Sequence, residues 1–145
     1  MTDRQRALLV ANGAVVFVVG MIAGFPFALV VLGTPVGPGD VRGWRMAHLE
    51  GILNGLLLVA IAAAGGHLRL GPRAQGVLFW SLVVTAWGNE IASVIGPLLG
   101  GRGLEFGGGV TNSVMYVLFM IAVVTVLVAM AVVLWGALRK ASEAT

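Results

Sequence analysis

The chain has no cysteine among its 145 residues, and only 10% of its side chains are charged. Without cysteine there are no disulfides, no thiolate metal sites, no thiol nucleophile and no covalent haem attachment through a CxxCH motif. So little charge excludes an ordinary soluble domain, where roughly a quarter of residues are charged. Histidine is scarce too, with two residues, and tyrosine occurs once. What is present is apolar: 59% of residues are hydrophobic and mean hydropathy is +1.00, which excludes disorder. The net charge of +3 and pI near 10.7 do not point to nucleic acid, because the nine basic residues are scattered rather than gathered into a patch.

A membrane-crossing helix needs about 20 apolar residues, and four such stretches with short connectors use up the length. The chain therefore reads as one domain, residues 1–145, all-α: an integral membrane four-helix up-down bundle in contact with the lipid bilayer. The first span is expected from about Ala7 to Leu32, interrupted by Asn12, Gly13, Gly20, Gly24 and Pro26, with tilt or a kink near Pro26. Arg4 and Arg6 before an apolar run also suit a signal peptide, but the run is too long and lacks a clear small-residue cleavage site. The loop Gly33 to Trp44 is too rich in Gly and Pro to be helical throughout and is expected to fold over a membrane face. A second span follows from about Met46 to Gly65, a short basic turn from His67 to Gln75, and a third span from about Gly76 to Leu99. The glycine-rich segment Gly100 to Gly109 leads to a fourth, about Val114 to Leu138.

With four spans, Arg4, Arg6, Arg69, Arg73, Arg139 and Lys140 share one side, against Arg42, Arg45 and Arg102 on the other. The positive-inside rule then places both termini in the cytoplasm, in a membrane of the bacterial inner (plasma) type, and both glycine-rich loops together on the outer face.

Function is sought among polar groups that the bilayer makes costly. They concentrate on the middle spans: His48, Glu50 and Asn54 on the second, and Thr85, Trp87, Asn89, Glu90 and Ser93 on the third. At 100° per residue, Gly51 and Gly55 fall three and seven positions after His48, so the surface beside the imidazole lacks side chains for two turns. Two readings stay open. A flat macrocycle can lie on that surface with its iron on His48, or the glycines let two helices approach, as small-xxx-small motifs do. His67, 19 residues on, lies roughly 28 Å away along a continuous helix, so one chain cannot place both histidines on one iron. A haem on His48 is then five-coordinate, or takes Met21, Met46, Met115 or Met120 as a second ligand. Glu50 and Asn54 share another face of the helix. Thr85, Asn89 and Ser93 form a polar stripe, suited either to a wet cavity or to interhelical hydrogen bonds. Glu90 needs Arg45, Arg102 or a proton as partner.

The segment WRMAHLEGILNGLLLVAIAA (Trp44 to Ala63), followed by AWGNE at 86–90 and RGLEFG at 102–107, resembles the styrene oxide isomerase family in order and spacing. The resemblance implies an integral membrane isomerase that binds haem b non-covalently and assembles as a homotrimer with haem near subunit contacts. It implies rearrangement of a small apolar aryl epoxide to an aldehyde by a 1,2-hydride shift, with ferric iron as Lewis acid, and it leaves room for an upstream monooxygenase partner. By the same resemblance His48 is the haem-iron ligand, with Gly51, Gly55 and Trp87 around the cofactor. Asn54 and Asn89 match pocket residues, and Tyr116 is a possible source of a phenol. Thr85 and Ser93 stand where typical members carry aspartate and tyrosine, which leaves a non-catalytic haem-binding membrane module, a sensor or electron carrier, as the alternative. The orientation has its own check: a reporter fused after Thr145 should be active only if it works in the cytoplasm, and activity confined to the outer side would overturn it.

Overall fold

The computed structural model describes residues 1–143 and contains four helices long and apolar enough to cross a membrane. They are α1 (Asp3–Val31), α2 (Val41–Ala64), α3 (Pro72–Leu99) and α4 (Val110–Ala141), with a single 3-10 turn, Gly65–His67, following α2. Each starts earlier than hydropathy alone suggests, and at α1 and α2 side-chain capping sets the N-terminus. Thr2 and Gln5 form a capping box at α1. The Asp40 carboxylate accepts from the Gly43 amide at 2.7 Å and starts α2 inside the Gly/Pro loop, and Pro72 occupies the first turn of α3. The α1 helix continues through Pro26 without a break.

Two pairs of helices form the bundle. The α1 helix packs along α2 and α4 along α3, with α2 on α3 joining the pairs and α1 also touching α3; α4 packs chiefly on α3 and also meets the 3-10 turn. The bundle is thus open between α2 and α4, and α4 is the most exposed of the four spans. A cluster around Leu9, Val16, Leu58, Leu78 and Leu82 fills the cytoplasm-assigned half, and a smaller one of Ala23, Trp44 and Ala47 lies towards the other end.

The α1–α2 contact depends on glycine. A Cβ on Gly20 would sit 2.7 Å from the Gly51 Cα, and one on Gly13 would sit 2.7 Å from the Gly55 carbonyl oxygen. In a bilayer, where lipid tails are as apolar as the helices, such backbone approach is a main source of association. The two glycine-rich loops do meet, as expected. Gly39 packs on Pro97, the Trp44 indole N–H donates to the Val36 carbonyl at 3.0 Å, and Arg102 lies 3.9 Å from Asp40. Within the second loop the Asn112 side chain accepts from the amides of Arg102 and Gly103 and donates to the carbonyls of Glu105 and Gly107.

Valine at Gly20 should therefore destabilise the protein by about 1–3 kcal/mol, the usual cost of overpacking. Alanine at Gly66, where nothing lies within 4 Å, should leave it unchanged. Thermal unfolding in detergent, followed by circular dichroism, checks both; equal midpoints would show that the glycine contact is not limiting.

Candidate functional site

His48 projects from the flank of α2 that meets α1. Its Nδ1 lies 2.8 Å from the Gly20 carbonyl oxygen, and its ring stacks with Phe27 at 6.0 Å and 23°. A carbonyl can only accept, so Nδ1 carries the hydrogen, and in the neutral ring the lone pair is on Nε2. Nε2 makes no hydrogen bond and is not among the enclosed polar atoms, so it opens to the protomer surface. An imidazole whose second nitrogen donates to a backbone carbonyl is the usual arrangement of a metal-binding histidine. The donor set thus fits a haem iron held by one imidazole. His67, exposed at the far end of α2, takes no part in this arrangement.

Gly51 and Gly55 need a correction. They were expected to offer a macrocycle an uncovered surface, but α1 covers both: Gly51 meets Gly20, and Gly55 meets Gly13 and Phe17. Periodicity identified a small-residue face, and the helix that fills it is α1. Trp87 needs one as well. Its indole N–H donates to the Asn12 Oδ1 at 2.9 Å, which ties α3 to α1 about 12 Å along the helix from Gly20, away from the His48 imidazole.

The remaining polar residues lie on the other flank of α2. Asn54 is buried, and its Nδ2 donates both to the Glu50 carbonyl (2.9 Å) and to the Glu50 carboxylate (2.8 Å), leaving its amide oxygen as the available edge. Asn89 is half-buried and its amide has no hydrogen-bond partner among the described residues. Thr85 is absorbed in packing, bonded to the Ser81 carbonyl and to the Thr125 hydroxyl, each at 2.8 Å. Glu90 is 1% exposed and neither carboxyl oxygen has a hydrogen-bond partner; Arg102 is committed to Asp40, and Arg45 forms no ion pair. Sequence reasoning did not foresee that Glu90 lies against the α2 backbone, with its Oε2 2.8 Å from where a Gly51 Cβ would be.

Ser93, 2% exposed with an unpartnered hydroxyl, lies on the wall of a cavity of about 330 Å³ among α2, α3 and α4. Met46, Met115 and Phe119 supply apolar walls, and Asp40, Arg42 and Arg102 border it. Tyr116 is not a lining residue; its ring meets Phe106 edge-on at 6.1 Å. Of the four methionines, Met46 and Met115 line the cavity, and Met21 and Met120 are exposed.

A polytopic α-helical membrane protein with one directionally held surface histidine and a separate polar groove is the class that fold and site define. The sequence profile of the styrene oxide isomerase family matches residues 5–138, and the chain belongs to that family. It is also similar to the hydroxylaminobenzene mutase HabB of Ectopseudomonas oleovorans, at 29% identity over 141 residues, covering 92% of this chain and 80% of that protein. The chain is accordingly an isomerase-type enzyme of the membrane.

The Trp87–Asn12 bond gives a structural prediction. Trp87→Phe and Asn12→Ala should each cost about 0.6 kcal/mol, and the double variant no more than either alone. Additive losses in a double-mutant cycle would show that the pair is not coupled.

Proposed function

We propose that the chain is a haem b-dependent isomerase of the bacterial-type inner membrane that rearranges a small aryl epoxide to an aldehyde, acting as a homotrimer. The observation that carries the cofactor reading is the Nδ1 contact of His48 with the Gly20 carbonyl, which leaves Nε2 as a free donor at the surface. When bound, haem b supplies a ferric Lewis acid for an oxygen donor. The reaction neither gains nor loses atoms: the benzylic carbon–oxygen bond breaks, hydrogen moves with its electron pair from the terminal carbon to the benzylic one, and the oxygen remains as the aldehyde. An epoxide-forming monooxygenase is the matching upstream activity.

The protein's own part is holding and orienting. Phe27 and the Gly20 carbonyl fix the His48 ring. Asn89 has free N–H groups to orient the substrate oxygen, whereas those of Asn54 are committed to Glu50, so Asn54 acts by holding Glu50. Met46, Met115 and Phe119 keep water from a developing carbocation.

An angle supports the assembly reading. His48 and Asn54, six residues apart, lie about 120° apart around α2, on opposite flanks of the helix. A site that needs both the histidine and the polar groove is therefore completed by a second copy, whose His48 flank closes the groove between α2 and α4. The number three rests on the family resemblance. A second substrate reading, rearrangement of an arylhydroxylamine, is supported by the mutase relative and by the unpartnered Ser93 hydroxyl, a partner for the N–H and O–H donors that an epoxide lacks.

Purified protein should show a haem Soret band near 400 nm, roughly where haem proteins absorb in general. His48→Ala should lose the band and His67→Ala should keep it. His48→Ala and Asn89→Ala should each be at least tenfold less active, while their co-expression should restore part of the activity, because one mixed interface carries an intact histidine opposite an intact amide. Activity is assayed with styrene oxide and hydroxylaminobenzene in parallel. Loss of the band in His67→Ala instead of His48→Ala, or no complementation, would contradict the corresponding part.

A further inference from the structure

The cationic side chains of the outer-assigned face are unequally committed. Arg102 lies 3.9 Å from Asp40, and Arg42 borders the cavity without forming a hydrogen bond or ion pair among the described residues. Arg45 is exposed and takes part in no hydrogen bond, ion pair or ring contact among the described residues. It precedes His48 by three residues, which places it about 4.5 Å nearer the outer end of α2 and about 60° around the helix, between His48 and Arg42. Arg42 falls about 120° from His48, on the cavity flank.

His48 and Arg45 together present an uncommitted imidazole nitrogen and, one turn outward, an uncommitted guanidinium, both at the protomer surface. A ligand matching both has a metal centre for the nitrogen and a carboxylate for the guanidinium. It is also amphipathic, with its apolar part at bilayer depth and its anionic part at the headgroup level. His48 is seven residues into α2 from Val41, so it lies about 10 Å below the helix start, and Arg45 about 6 Å below it. A carboxylate directed inward from His48 would meet only the apolar run of Leu53, Leu56 and Val59, where a buried charge is costly.

We propose that Arg45 binds the propionate carboxylates of the haem held by His48, fixing the macrocycle with its propionate edge towards the outer face and its apolar edge towards the bilayer centre. The proposal rests on the haem reading above and adds the residue that orients the cofactor. Guanidinium pairs carboxylate through parallel N–H donors, so lysine, a point charge, should replace it only in part.

The test is titration of haem-depleted full-length protein with hemin and with hemin dimethyl ester, whose propionates carry no charge, following the Soret band. The parent protein should bind hemin at least tenfold more tightly than the ester. Arg45→Leu should lose that preference by weakening hemin binding alone, Arg45→Lys should keep part of it, and Arg42→Leu should keep all of it. Unchanged ester binding shows that the variants fold; should Arg45→Leu lose ester binding as well, Arg45→Gln and the parent's own preference decide. A parent that binds both ligands equally, an Arg45→Leu variant that keeps the preference, or its loss in Arg42→Leu would each overturn the proposal. No Soret change with either ligand in the parent would overturn the haem reading itself.

Discussion

The close approach of α1 and α2 is the constraint on which the rest of the structure depends. Gly13 against Gly55 and Gly20 against Gly51 bring two backbones together where any side chain would hold them apart. That approach delivers the Gly20 carbonyl to His48. One contact thus serves both packing and the orientation of His48, because the carbonyl that determines which ring nitrogen carries hydrogen belongs to the residue whose missing side chain permits the crossing. A longer distance between the helices would release the imidazole to rotate, and the directional donor would be lost.

The second half of the molecule follows a different rule. With α4 packed chiefly on α3, the buried polar residues of α2 and α3 lie near a cavity at the outer-assigned end of the bundle. Thr85 shows what happens where the helices do close: its hydroxyl is spent on Ser81 and Thr125. Asn89 and Ser93, on the same helix, retain unspent hydrogen-bonding capacity. Along one stripe the polar residues therefore differ in whether a neighbouring helix supplies a hydrogen-bond partner: Thr125 of α4 does so for Thr85, and none does so for Ser93 among the described residues.

Much of this was legible in the chain itself. Hydropathy alone gives four spans, because twenty-residue apolar runs have no other stable use. The concentration of polar residues on the middle two helices marks where chemistry is to be sought, and His48 stands out because the other histidine is too far along the same helix. Helix starts were missed by several residues because Asp40 and Thr2 act through hydrogen bonds that hydropathy does not register. The glycines beside His48 left two readings open, because spacing reports which face is small and has no information on whether a cofactor or a neighbouring helix occupies it; in the structure α1 occupies it. The partner of Trp87 was not legible for a related reason, since Asn12 is 75 residues away in sequence and nothing local announces the pairing. The free amide of Asn89 and the committed one of Asn54 look alike in sequence and differ only through Glu50.

The central claim is that His48 is held through Nδ1 so that Nε2 binds iron at a contact between two copies. A cryo-electron-microscopy map of the purified protein in lipid nanodiscs tests it most directly. The account predicts planar density joined to His48 through Nε2, with Nδ1 still on the Gly20 carbonyl and the Asn89 groove of a neighbouring copy facing the other side of the plane. Density joined through Nδ1 with the Gly20 contact broken, or a macrocycle bound away from His48, would contradict it.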